Sequence, residues 1–201
     1  MKILTRSFYN RKDVVSIAKE LLGKIVQTSF NNEITSGRIC ETEAYAAFVD
    51  RASHSYNYRR TTRNEHMYGE PGISYVYICY GMHHMLNVVT NRKDIPEAVL
   101  IRAIEPIEGV EIMLKRTGKS IADRTITRGP GNVAKALGIF KHHSGLPLSM
   151  GQMVIGEDRT FISESDVGVS KRIGVDGAGE DALLPYRFYI RNNPYVSGYN
   201  K

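Results

Sequence analysis

The chain of 201 residues contains no tryptophan, only two cysteines and no long apolar run. A helix crossing a membrane needs about 18 or more consecutive apolar residues, so no such helix is expected. The first residues, MKILTRSFYN, have neither the apolar region nor the small-residue cleavage site of a secretory leader. Cys40 and Cys79 have no CxxC partner and sit among strand-forming neighbours. They read as reduced, buried thiols of a cytosolic protein, which excludes a disulfide framework. HExxH, HxE with PCxxC, and spaced cysteine pairs are all missing, so no metal is expected. The GxSxG of a nucleophile elbow is missing too. Gly129, Gly131 and Ala134 formally fit GxGxxA, yet no apolar strand precedes them and no acid follows at the required distance. A glycine-lined helix start can still bind one phosphate through its amides, and DNA backbone is the natural candidate.

What the chain does have is positive charge and tyrosine. Lys and Arg total 27 against 21 Asp and Glu, a net charge of +6, and the sequence pI is near 9.3. That balance favours a polyanionic partner without specifying a fold. Tyrosine occurs 12 times against six phenylalanines. With 42% hydrophobic and 24% charged residues, the composition suits one globular domain spanning 1–201.

Hydrophobic periodicity supplies the elements. Residues 10–24, NRKDVVSIAKELLGK, place Val14, Ile17, Ala18, Leu21 and Leu22 on one stripe, predicting a helix with Gly23 as its C-cap. Asn31-Asn32 can turn a hairpin between two strand-like runs, and residues 65–90 read as strand, tight turn, strand. EAVLIRAI is a short buried strand, after which Pro106 is expected to open a helix through residue 118. TRGPGNVAKALGI begins a third helix, and Gly, Pro and Ser then divide the chain into short strand-like pieces at 153–163, 171–180 and 187–199. The sum is an α+β domain, a mixed and mostly antiparallel sheet with packed helices.

Two stretches suggest chemistry. In YVYICYGMHHMLNVVT, strand alternation puts Tyr75, Tyr77 and Cys79 on one face, while Tyr80 lies beside Gly81 at a hairpin tip. The rings either pack in a core or serve as a pocket wall and a wedge. Stacking and insertion between bases are ways of holding a nucleobase out of its duplex. In RICETEAYAAFVDRASHSY, alternation sends Glu41, Glu43 and Tyr45 one way and Cys40, Thr42 and Ala44 the other. Two carboxylates in an apolar setting are either neutralised by arginine or used for catalysis.

Taken together, ETEAY with a histidine eleven residues after its second glutamate, RTTRN, PGISYVYICYGMHHMLNV, AVLIRAIEPIEG, RGPGNVAKALGI and RIGVDGAGEDALLPYRFYIRNNPYVS strongly resemble the alkyladenine (3-methyladenine) DNA glycosylase family. The resemblance covers almost the whole chain and is weakest over 140–165. It implies a compact formyltransferase C-terminal-domain-like fold with a β-hairpin protruding into the DNA minor groove. It implies a monofunctional hydrolase acting on 3-methyladenine, 7-methylguanine, hypoxanthine or ethenoadenine in double-stranded DNA, without metal or cofactor. By motif position Glu43 is the general base and Arg102 helps hold the attacking water. Tyr45 lies on one face of the flipped base, His54 and Tyr77 lie on the other, and the His54 amide reads the purine edge. Asn87 is a steric gate against guanine, Tyr80 is the intercalating wedge, and Arg59, Thr61, Arg63 and Gly129 meet phosphates. A monomer active at the bacterial nucleoid in the cytoplasm is expected. Two other readings stay open: a damaged-DNA binding module without catalysis, and a hydrolase of free nucleosides.

Overall fold

Asp13 starts the first amphipathic helix, its carboxylate accepting the Ser16 amide at 3.0 Å. Val14, Ile17 and Ala18 are buried along its inner stripe, as the periodicity predicts. The computed structural model describes residues 1–120 and 123–198. In chain order the elements are β1 (Lys2–Ile3), α1 (Arg6–Tyr9), α2 (Val14–Glu20), β2 (Ile25–Phe30), β3 (Glu33–Tyr45), β4 (Ser74–Cys79) and β5 (His83–Thr90). They continue with β6 (Glu97–Glu108), α3 (Val110–Thr117), α4 (Pro130–Leu137), β7 (Met153–Glu157), β8 (Val167–Ser170) and β9 (Arg187–Ile190).

The strands form one nine-stranded sheet in the order β1-β7-β2-β3-β6-β5-β4, with β9 pairing both β3 and β8. The described strand pairs are antiparallel, in keeping with the α+β expectation. β3 is the organising strand. Its first half pairs with β2, Glu41, Thr42 and Glu43 with β9, and its other edge with β6 from Ser36 to Tyr45, interrupted at Cys40. Helices α2 and α4 cover the sheet, burying Ile17, Ala18, Val133 and Leu137 in one core with Ile39, Ala44, Ile101 and Ile104.

The Asn31-Asn32 turn forms as predicted, both residues taking positive φ (53° and 61°) between Phe30 and its partner Glu33. Several expectations need correction. Pro106 does not open a helix but lies within β6 opposite Gly37, at a register shift where a missing N–H is tolerated. The helix begins after Gly109 (φ 71°), where an added Cβ would meet the Ile34 carbonyl oxygen at 2.2 Å. Helix α2 ends at Glu20 with Leu21 as its C-cap, so Gly23 stands beyond the cap. Residues 171–180 are no strand, because their polar groups go to Glu43 and Asp50 instead of a ladder; β8 lies just before them. The 153–163 piece is strand only to Glu157, since Asp158 turns aside to pair with Arg38. Of the 187–199 piece only Arg187–Ile190 is strand, and Tyr199 lies outside the described residues. Cys79 is only partly buried, and Cys40 is fully buried; both are free thiols. No helix among the described residues is long and apolar enough to cross a membrane.

Candidate active site

The site is built where the ladder between β3 and β6 is irregular. Ile39 pairs with Ile104, Glu41 with Ala103 and Thr42 with Ile101, so Cys40 and Arg102 are each left without a partner. Such bulges re-aim side chains. Cys40 packs with Ala103 and Val196, apart from the core cluster that holds Ala44, so the simple alternation read from the sequence fails at this residue. Arg102 is turned toward the acids. Its Nε donates to Glu41 Oε1 at 3.0 Å, and its Nη1 lies 3.4 Å from Glu43 Oε1.

The two glutamates differ in their surroundings. Glu41 is saturated: besides Arg102 it accepts from Arg187 Nε at 2.7 Å and from the Ser197 amide at 2.8 Å. It is the arginine-neutralised acid that the sequence left as one alternative. Glu43, also without exposed surface, accepts the Ile173 amide at 2.8 Å on Oε1 and the Tyr45 hydroxyl at 2.8 Å on Oε2. Burial pushes its carboxyl above the usual carboxylate range, against the opposing pull of Arg102 and these hydrogen bonds. Its second oxygen is capped by the Tyr45 side chain.

That side chain walls an aromatic slot. Glu43, Leu100, Asn87 and Tyr75 form one cross-strand row over β3, β6, β5 and β4. Beside this row a cavity is lined by Tyr45, His54, Tyr75, Tyr77 and Asn87, with Ala98, Met67 and Ala52 completing it. Tyr75 is buried and donates to or accepts from His54 Nδ1 at 2.8 Å. The His54 and Tyr77 rings meet edge to face at 4.6 Å. Burial, with Arg63 and Arg59 nearby, lowers His54 to about 4, so its ring is neutral at pH 7. Burial likewise pushes the Tyr77 phenol up to about 12. Asn87 is held by its amide on the Tyr75 and Met85 carbonyls, both at 3.2 Å. The cavity measures about 20 Å³, room for roughly one water. A cavity of this size does not hold a purine.

The structure thus brings Glu43, Arg102, Tyr45, His54, Tyr77 and Asn87 together. Tyr80 stands apart from them at the β4–β5 tip, 87% exposed with φ 50° beside Gly81. Arg63 stacks near the Tyr77 ring at 5.4 Å and donates to the Ile78 carbonyl. Arg59 is exposed, whereas the Thr61 hydroxyl turns inward to Asn64 Oδ1 at 3.0 Å. Asn64 also ties the His54 and Arg59 carbonyls together, fixing the loop. Gly129 is the N-cap of α4, outside the slot lining.

Sequence reasoning missed Arg172, Ile173 and Asp50. Arg172, buried, makes a two-pronged bond to Asp50 at 2.5 and 2.8 Å and lies 4.8 Å above the Tyr45 ring. Asp50 in turn accepts the Ala46 and Ala52 amides, so one ion pair supports both the Tyr45 wall and the loop leading to His54. The partners are 122 residues apart; the one local signal is an arginine set in the apolar run RIGV. Among the described residues no three His, Cys, Asp or Glu side chains gather as a metal-ligand set.

Comparison with known proteins gives a consistent result. Residues 7–194 match the family described as methylpurine-DNA glycosylase (MPG). A Clostridium perfringens protein named "Putative 3-methyladenine DNA glycosylase" is 43% identical, the match covering 96% of this chain and 98% of the relative. Proteins of the same name from Desulfitobacterium hafniense and Chlamydia abortus are 42% and 44% identical, over 98% and 94% of this chain and 99% and 98% of their own. With so nearly complete a match, the chain belongs to the methylpurine-DNA glycosylase family and is a DNA glycosylase.

Proposed function

We propose that this enzyme everts alkylated or deaminated purines from duplex DNA and hydrolyses the N-glycosidic bond with a water activated by Glu43. 3-Methyladenine, 7-methylguanine, hypoxanthine and ethenoadenine are the candidate bases, and an abasic site is the product. The observation that carries this reading is the bond from the slot-wall Tyr45 hydroxyl to the Glu43 carboxylate. A purine needs far more room than one water, so the base enters only if the slot widens. Movement of Tyr45 widens it and uncovers Glu43 Oε2 in the same step. Base entry and access of water to the general base are therefore coupled.

Once uncovered, Glu43 takes a proton from the water attacking the anomeric carbon, while Arg102 helps orient it. Positioned general-base help contributes typically ~10²–10⁴-fold. The carboxylate also stabilises positive charge developing on the sugar. A methylated purine is cationic and leaves readily. The faces of Tyr45 and Tyr77 attract it, and the neutral His54 does not repel it. Asn87 rejects the exocyclic amine of guanine, the His54 amide reads the purine edge, and weakly paired bases flip at lower cost. Tyr80 fills the gap left in the stack. Arg59, Arg63, Thr61 and the α4 start at Gly129 hold phosphates. We take residues 1–201 to act as one formyltransferase C-terminal-domain-like unit, a monomer working without metal or cofactor at the nucleoid.

A lesion-panel assay tests the reading. Duplexes carrying each base are incubated with the protein and heated in alkali. Strand breaks at lesions support it; binding without breaks favours a non-catalytic damage-recognition module, and comparable turnover of free deoxyinosine favours a nucleoside hydrolase.

A further inference from the structure

The β4–β5 hairpin has two working faces, and only one is occupied by the slot. Cross-strand partners share a face and neighbours along a strand alternate. Tyr77 pairs with Met85, and the next pair is Ile78 with His84. Tyr77 lines the slot, so His84 lies on the reverse side. There His84 borders an open groove of about 730 Å³ between the hairpin, α4 and the turn at Phe140–His143. The groove is firmly built. His83, which pairs with Cys79 and by alternation belongs to the Tyr77 side, stands at the strand's end next to the tip, and its ring reaches α4, where a Cβ added to Gly131 would lie 3.0 Å from its Nδ1.

The lining has the chemistry of a nucleotide site. Phe140 is 50% exposed and is flanked by the His142 ring, stacked at 5.8 Å, and by the His84 ring edge-on at 5.3 Å. Glu33 is the sole carboxylate in the groove lining, and it is bonded to Arg116 at 2.8 Å. Lys135 donates to the Thr117 carbonyl at 3.3 Å and forms no ion pair among the described residues. A half-open aromatic platform and an uncompensated ammonium lining the same groove suit a base and its phosphate.

We propose that this groove receives a nucleotide of the complementary strand, the one facing the lesion. The inference rests on the DNA glycosylase reading in which Tyr80 enters the duplex. A minor groove is bounded by one strand on each side and is only about 6 Å wide. A two-stranded ribbon entering tip-first, with the lesion strand on its Tyr77 face, therefore has the other strand against its His84 face. Phe140 stacks the base and Lys135 holds the phosphate. The exposed Met82 at the tip, which also lines the groove, bridges the wedge to this second site. The groove thus holds open the space into which the lesion's former partner would otherwise re-pair.

The test uses full-length protein with Phe140→Ala and Lys135→Glu, each checked by thermal melting. Equilibrium binding is measured on lesion duplex and on the same lesion in single-stranded DNA, with 2-aminopurine placed opposite the lesion as a fluorescent reporter. Loss of one stacked base predicts roughly 5- to 100-fold weaker duplex binding by Phe140→Ala. Single-stranded affinity stays within about twofold of the native protein, because no complementary strand is present. The 2-aminopurine signal seen with the native protein disappears. Lys135→Glu weakens duplex binding and flattens its salt dependence. Duplex affinity and reporter signal unchanged in both variants overturn the proposal. Failure of the native protein to excise any lesion overturns the underlying reading instead, and the two failures are read in separate channels.

Discussion

At the residue scale, the proposed mechanism turns on the state of Glu43. Its carboxyl is raised by burial and lowered by the Tyr45 hydroxyl, the Ile173 amide and Arg102. A general base works only when ionised, so on this proposal kcat/KM is expected to rise with pH through the raised pKa and to be lost as pH falls below it. Tyr45→Phe removes one interaction that favours the charged form. The acid limb of the kcat/KM profile is expected to move to higher pH, while activity well above it is little changed; an unmoved limb separates Tyr45 from Glu43. His54 adds a stability consequence. Its folded pKa of about 4 lies below the ordinary 6.5, so the unfolded chain binds the proton first. Its contribution is full above pH 6.5 and is lost as pH falls toward 4. Urea midpoints at pH 7 and pH 5 are expected to differ, and the difference is expected to shrink in His54→Gln.

At the scale of elements, the chain's local patterns reached some features and not others. Two-residue alternation in ETEAY predicts that Glu43 and Tyr45 share a face, and they do meet at 2.8 Å. The same alternation misassigns Cys40, because register depends on β6 and the skipped Arg102. Pro106 carries the composition of a helix start, yet its pairing opposite Gly37 keeps it in the strand. The partners of Glu43 on the far segment, Ile173 and the neighbouring Arg172, depend on how the chain folds back over 130 residues. No spacing rule reaches that far. The buried Asp50–Arg172 pair gives a direct check. Arg172→Met leaves Asp50 buried and unpaired and is expected to cost about 3–5 kcal/mol of stability. The double variant with Asp50→Asn recovers much of that loss. Denaturant unfolding of the four proteins measures it, and an additive double variant contradicts the pairing.

For the whole molecule, the net charge of +6 and a hairpin with an exposed tip and Arg63 beside it suit a polyanionic partner. Each phosphate neutralised contributes a slope of about −0.9 in log affinity against log salt. Arg63→Ala is expected to flatten the slope by about that amount, with similar losses on lesion and undamaged duplex. A salt-independent affinity would contradict a basic DNA face. The α+β class and the candidate pocket were legible because they follow from periodicity and from motif order. The narrowness of the slot and the groove behind the hairpin were not, since both arise only when distant segments meet.

The central claim is that Glu43 activates water beside a slot that opens to an everted purine. Single-turnover excision of hypoxanthine from duplex DNA by Glu43→Gln, with lesion binding measured on the same preparation, tests it most directly. The account predicts that excision falls by at least ~10²-fold while lesion affinity is retained. Excision within a few-fold of the native enzyme would contradict it.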